Sequence, residues 1–234
     1  MNFPLKTIAY ARNGFHDKFG IPRQTLSDTQ LLTRIVFTPE YRVREALRGI
    51  EGFSHLWLLW GFHRMPAGMA VGGDGERVGW SPTVRPPRLG GNIRMGVFAT
   101  RSPNRPNPIG LSSVRLLRVE DSATEGRVLV VSGADMMDGT PVYDIKPYLA
   151  YTDAHPDAMD GFAGGGLSER LQVVWECVPP QTRKQELEEV LSYDPRPRYQ
   201  DDADRIYRLD YAGYAVSFRV EGKRLIVVKC TLKR

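Results

Sequence analysis

The sequence predicts a mainly β fold: an N-terminal antiparallel single-sheet β-barrel followed by a small C-terminal α+β domain. Three observations lead there. Short runs rich in β-branched and aromatic residues recur along the chain, bounded by Gly, Pro and Asn turns, as in closed antiparallel barrels. Long helical periodicity is scarce, and the sequence has no Walker lysine loop, GxGxxG turn after a strand, GxSxG elbow or HExxH pair, which argues against a doubly wound α/β architecture. The pattern then changes after Pro179-Pro180, to one helical stretch and three strand-like ones. The expected units are therefore residues 1–178 and 179–234.

In chain order, Lys6 to Arg12 alternates as a strand does, and Asn13-Gly14 supplies a turn. Arg34 to Thr38 is a second strand, ended by Pro39. Arg42 to Arg48 pairs Val43 with Leu47 at helical spacing and stops at Gly49. Gly52 to His63, the most apolar stretch, predicts a buried strand; its length leaves a short helix open. Met65 to Gly79 is rich in Gly and small residues and reads as a loop, and Trp80 to Asn92 mixes Arg, Pro and Gly without regular pattern. Leu111 to Val119 and Arg127 to Ser132 are strands joined by the polar turn Glu120 to Gly126. His155 to Gly166 is loop-like, and Leu171 to Val178 is one more strand before the proline pair. Beyond it, Arg183 to Leu191 has helical spacing, residues 194–199 form a stiff basic turn, and Ile206 to Leu209, Tyr214 to Val220 and Leu225 to Thr231 are strand-like.

Two cysteines with no CxxC or His spacing suggest neither a disulfide framework nor a zinc site, so a reduced cytoplasmic protein is expected. The longest apolar run, Leu56 to Trp60, is too short to span a bilayer, and no membrane partner is expected. The net charge of +5 is unevenly spread: Arg77 through Val119 holds eight arginines and no Asp or Glu. Such a field favours a polyanion or an anionic small molecule.

Within that basic region, Arg94 to Ser113 (RMGVFATRSPNRPNPIGLSS) is the most informative stretch. Pro103, Pro106 and Pro108 fix φ around Arg101, Asn104, Arg105 and Asn107, presenting polar forks on a stiffened frame. A rigid hairpin connection with solvated arginines is the alternative. Pro22 similarly stiffens the chain before Arg23 and Gln24, whose donors and acceptor suit a carboxylate or a base edge. His63, at the edge of its apolar run, is a site candidate, while His55 inside the run is structural. Asp135, Asp138 and Asp144, punctuated by Gly139 and Pro141, form either a polar constellation or an Asx-turn network. They lack the dense ligand spacing of a calcium loop, and no metal is expected.

Five separated motifs, Pro22-Arg23-Gln24, GFSHLW with Phe62-His63, RPPRLGGN from Arg85, residues 95–110, and Asp138-Gly139-Thr140-Pro141 with Asp144 to Tyr148, together resemble the TrmO (YaeB/TsaA-like) tRNA methyltransferases. The resemblance implies a barrel that uses S-adenosylmethionine to methylate N6 of threonylcarbamoyladenosine beside the tRNA anticodon, acting as a homodimer. Carried over position by position, it implies a methyl donor held by Pro22, Arg23, Gln24, His63, Arg64, Arg101, Leu111, Asp135, Met136, Met137 and Asp138. The Asp194-Pro195-Arg196-Pro197 run resembles the extra domain of bacterial two-domain members, giving residues 179–234 a tRNA-contacting role.

Methyl transfer from a sulfonium needs in-line alignment more than a protein nucleophile. The urea-like N6 is weakly nucleophilic, so a proton acceptor helps, and Asp138, His63, Tyr143 and the substrate's own carboxylate are candidates. Arg85, Arg88, Arg105, Asn107, Lys146, Arg196 and Arg198 are the expected contacts to tRNA or that carboxylate. Two other classes stay open: a non-catalytic RNA-binding barrel, and a metal-assisted hydrolase built on Asp135, Asp138 and Asp144.

Overall fold

The structure, a computed structural model, describes residues 4–22, 29–63, 80–164, 169–196, 202 and 204–233. Six strands close a barrel: β1 (Ala9–Arg12), β2 (Leu32–Phe37), β3 (His55–Gly61), then, past a two-stranded ribbon β4 (Thr83–Val84) and β5 (Met95–Gly96), β6 (Ile109–Ser122), β7 (Gly126–Ser132) and β8 (Pro141–Pro147). The order around the wall is β1-β2-β7-β6-β3-β8, every pair antiparallel, so no edge is left open. Period-two alternation fills the lumen. In β1, Ala9 and Ala11 point inward and are buried while Tyr10 and Arg12 face out, and Ile35, Leu56, Leu58, Val114, Leu129, Val131 and Val142 complete the core.

Two sequence expectations are corrected within the barrel. Arg42 to Arg48 is not an α-helix: Arg44–Leu47 forms a 3-10 turn that buries only Leu47. Two apolar positions cannot sustain a longer helix. The Asp138 to Tyr148 stretch is more than a polar constellation, because β8 within it joins β3 and β1 and closes the wall.

After a single helical turn, α1 (Ala150–Asp153), the chain enters a second sheet ordered β10-β11-β12-β9, formed by β9 (Gln172–Trp175), β10 (Tyr207–Tyr211), β11 (Tyr214–Glu221) and β12 (Arg224–Leu232). Helix α2 (Lys184–Ser192) packs Leu187, Val190 and Leu191, at helical spacing, into a core with Leu209, Val216, Phe218 and Leu225. The β9 strand precedes Pro179-Pro180, yet it pairs in parallel with β12, so the second sheet begins before the proline pair. Among the described residues no helix is long and apolar enough to cross a membrane.

Antiparallel pairing has one consequence for function. The ends of β1, β3 and β7 and the starts of β2, β6 and β8 lie on one rim, so the connections 13–31, 62–108 and 133–140 emerge side by side.

Candidate active site

Those three connections carry nearly every site residue read from the sequence. Their meeting point is Asp138. Its Oδ1 accepts the Asn13 backbone N–H at 3.0 Å, and its Oδ2 lies 3.7 Å from Arg12 Nη1 and 3.8 Å from His16 Nδ1. Its own N–H donates to the Phe15 carbonyl at 2.8 Å. Gly139 follows with φ of 77°, a conformation that favours glycine; a Cβ there would stand 3.8 Å from Arg12 Nη1 and 4.0 Å from His63 Nε2. His63 is oriented at its other nitrogen, where Thr140 Oγ1 lies 3.3 Å from Nδ1. A guanidinium, an imidazole and a carboxylate thus surround one bare backbone turn.

Behind it runs a buried polar chain. Trp60 Nε1 donates to Ser112 Oγ at 2.9 Å, and Ser112 in turn donates to Asp135 Oδ1. Burial pushes the Asp135 carboxyl above its ordinary range, with the Ser112 bond and the Arg101 charge opposing that rise. Gly110 makes the chain possible: a Cβ there would stand 2.3 Å from the Trp60 ring. Leu111 is 54% exposed on the outer wall, as expected of a residue flanked in β6 by inward Gly110 and Ser112. Arg101 is exposed at the same rim, on the loop where Arg105 Nη1 donates to the Thr100 carbonyl at 3.1 Å.

The structure brings His63 and Asp138 together around Gly139 and sets Arg101 near Asp135, while Leu111 faces out from the wall; several other residues lie elsewhere. Met136 and Met137 are buried, so their side chains serve the wall; the Met136 carbonyl is already taken by Asn13 Nδ2 at 2.9 Å. Pro22 is buried as well. Tyr143 is packed against Gly61, and burial pushes its phenol up, so it keeps its proton and is a poor base. Lys146 lies far down β8, opposite Trp57 near the other end of the barrel, and pairs with Asp144 at 3.0 Å. Arg196 forms a two-bond fork with Asp194, each bond 2.9 Å, and its side chain is only 11% exposed, so it braces its own turn. Arg85 and Asn107 are exposed. Arg23, Gln24, Arg64, Arg198 and the loop from Met65 to Gly79 lie outside the described residues, as does the Arg88 side chain.

Asp135, Asp138 and Asp144, the carboxylates a metal-assisted hydrolase would need, are engaged separately by Ser112, Asn13 and Lys146. Among the described residues no cluster of three His, Cys, Asp or Glu side chains could hold a metal ion. Sequence reading missed Arg12, Asn13, His16, Trp60, Ser112 and Thr140. Only the rim position of Arg12-Asn13, at the end of a strand, could have hinted at them, because Asn13 meets Asp138 across 125 residues of sequence.

The donor set suits a zwitterionic amino acid joined to a ribose. A guanidinium can take a carboxylate, and the carboxylates can accept from an ammonium or from hydroxyls. A family model for the tRNA-methyltransferase O N-terminal domain matches residues 10–154, and one for the TrmO C-terminal domain matches residues 171–233. A tRNA (adenine(37)-N6)-methyltransferase of Eikenella corrodens is 48% identical over 176 residues, covering 72% of this chain and 92% of its own. The protein of the same name from Escherichia coli (strain K12) is 38% identical over 234 residues, covering 94% of each. The crystal structure of TrmO from Pseudomonas aeruginosa superposes with a TM-score of 0.74 at 31% identity, over 99% of this chain and 100% of that one.

Proposed function

Since the chain belongs to the TrmO family of tRNA methyltransferases, we propose that its substrate is tRNA whose adenine 37 already carries a threonylcarbamoyl group on N6. The chain is an S-adenosylmethionine-dependent tRNA (adenine-N6)-methyltransferase acting at that adenine. The observation that carries the finer reading is the Arg12, His63 and Asp138 arrangement around Gly139, a polar cluster on the rim that also presents Arg101.

When bound, S-adenosylmethionine supplies a methyl group made electrophilic by its sulfonium. The protein's part is to hold and orient. Arg101 is assigned to the donor's carboxylate, Asp135 and Asp138 to its ammonium and hydroxyls, and exposed Leu111 to its apolar surface. His63 is assigned to take the N6 proton, because imidazole accepts protons at neutral pH and Thr140 fixes its ring. Asp138, assigned to the donor and flanked by the Arg12 and His16 charges, is a weaker acceptor for that proton, and Tyr143 holds its own. Exposed Arg85 and Asn107, and Arg105 through its loop, are assigned to the RNA or to the threonyl carboxylate. Beside them, Trp80 and Phe98 are exposed with ring centroids 6.2 Å apart, a surface suited to stacked bases.

Two chains are proposed to associate, since the outward side of β6 leaves Leu117 exposed. A tRNA substrate puts the work in the cytoplasm. The deciding experiment incubates the protein with S-adenosylmethionine and tRNA that carries or lacks threonylcarbamoyladenosine, then analyses digested nucleosides by mass. Methylation of the modified tRNA alone is expected; equal methylation of unmodified tRNA would refute the substrate assignment. Light scattering of the same sample reads the dimer.

A further inference from the structure

The second sheet reaches the candidate active site through connection 13–31. Phe15, Phe19, Ile21 and Leu31 of that connection pack in the core of the β10-β11-β12-β9 sheet, not in the barrel lumen. Phe15, 2% exposed, meets the Tyr211 ring edge-on at 5.0 Å. The backbone of the same residue faces the other way: its carbonyl accepts the Asp138 N–H at 2.8 Å, and its N–H donates to Asn13 Oδ1 at 2.9 Å. One residue therefore has its side chain in the second sheet and its peptide groups in the site.

The turn between β10 and β11 grips the neighbouring glycine. Ala212 N–H donates to the Gly14 carbonyl at 2.8 Å, and the Tyr211 ring lies so close that a Cβ on Gly14 would stand 2.8 Å from it. Ala212 holds φ of 48° and Gly213 φ of 84°, positive at both central positions of a two-residue hairpin. Alanine is strained there, and the strain is kept at the residue whose N–H reaches the site loop.

We propose that the β10–β11 hairpin is a positioning element of the methyl-donor site, with Tyr211 and Ala212 holding Gly14 and Phe15, which in turn fix Asp138. This rests on the reading that Asp138 contacts the donor. The physical gain is preorganisation: a connection already ordered loses less entropy when ligand binds. The second sheet thus serves donor binding as well as any contact with RNA. Tyr211 is itself held in place, its hydroxyl donating to Glu186 Oε2 at 3.1 Å from α2.

The test uses three variants of the full chain. Tyr211→Leu removes the ring, Tyr211→Phe keeps the ring and drops only the hydroxyl, and Gly14→Ala wedges the contact from the site side. S-adenosylmethionine binding is measured by calorimetry without tRNA, well below each variant's melting temperature, with the KM for tRNA as a control. Tyr211→Leu and Gly14→Ala should weaken donor binding roughly tenfold while Tyr211→Phe stays within about twofold. The KM for tRNA should stay within about twofold in all three. Should Tyr211→Leu fail to fold, Gly14→Ala against Tyr211→Phe decides the matter. Unchanged donor affinity in Gly14→Ala, together with a lowered melting temperature, would overturn the proposal and leave the contact purely structural. A wild-type chain that binds tRNA but no S-adenosylmethionine would overturn the donor-site reading itself, a result visible before any variant is compared.

Discussion

Removing one hydroxyl, in Ser112→Ala, should uncouple the polar chain behind the site and make stability depend on pH. Two losses add. Trp60 Nε1 is left without an acceptor at a residue only 5% exposed, which costs about 1–3 kcal/mol. Asp135 loses its hydrogen bond, worth about 1.5–3 kcal/mol while the carboxyl is ionised. The second loss fades once Asp135 is protonated. Burial already raises this carboxyl and the Ser112 bond lowers it, so deleting the bond raises it further. A raised carboxyl favours folding below its unfolded value and loses that contribution as pH rises through the folded value. The penalty of the substitution should therefore grow with pH, from about 1–3 kcal/mol where Asp135 is protonated, near pH 4, to about 2.5–6 kcal/mol at pH 8. Urea unfolding at the two pH values measures it, and donor affinity should show its acid limb moved to higher pH. In an Asp135→Asn background the pH-dependent part should vanish. An equal penalty at both pH values, or one below about 1 kcal/mol, would refute the chain of hydrogen bonds as described.

Other outcomes follow from the same geometry. His63→Gln should lower kcat by about 10²–10⁴ while donor affinity stays within a few-fold, and Tyr143→Phe should leave kcat within a few-fold; the reverse pattern in single-turnover assays would move the proton to the phenol. Gly61→Ala puts a Cβ 2.1 Å from the Tyr143 hydroxyl, and should cost about 1–3 kcal/mol in a thermal melt as the wall shifts to admit it. Arg85→Ala should weaken tRNA binding across sequences and reduce the salt slope of affinity by about one contact, leaving S-adenosylmethionine binding intact. A filter-binding series over salt concentration reads both parts.

The strands were legible in the sequence by two signals: β1 buries one side of a period-two pattern, whereas β2 and β7 read as short apolar runs that end buried on both faces, and turns flank all three. β8 was obscured because Asp144 and Lys146 break its apolar pattern on the solvent side, although Val142 is fully buried. β9 was visible as a strand but not as part of the second sheet, since its partner β12 lies about fifty residues on and parallel pairing leaves no local turn signal. The same limit applies to charges. Arg196 reads as basic and available until Asp194 is seen to hold it through two bonds.

The site itself shows why the motifs could be found while their partners could not. Asn13, His63, Arg101 and Asp138 stand on three connections far apart in sequence, and only the barrel's antiparallel order gathers three such connections on one rim. The strand register then decides which side chains reach that rim. Ala9 pairs with Phe37 and Arg12 with Arg34, so Ala9 and Ala11 fill the lumen and Arg12 ends the strand beside Asp138. A slip of one residue would turn Tyr10 and Arg12 into the core and take the guanidinium away from Gly139. Two alanine side chains, small enough for a six-stranded lumen, thus select the register that also builds the candidate site, so that the same alternation serves the core and the cluster around Gly139.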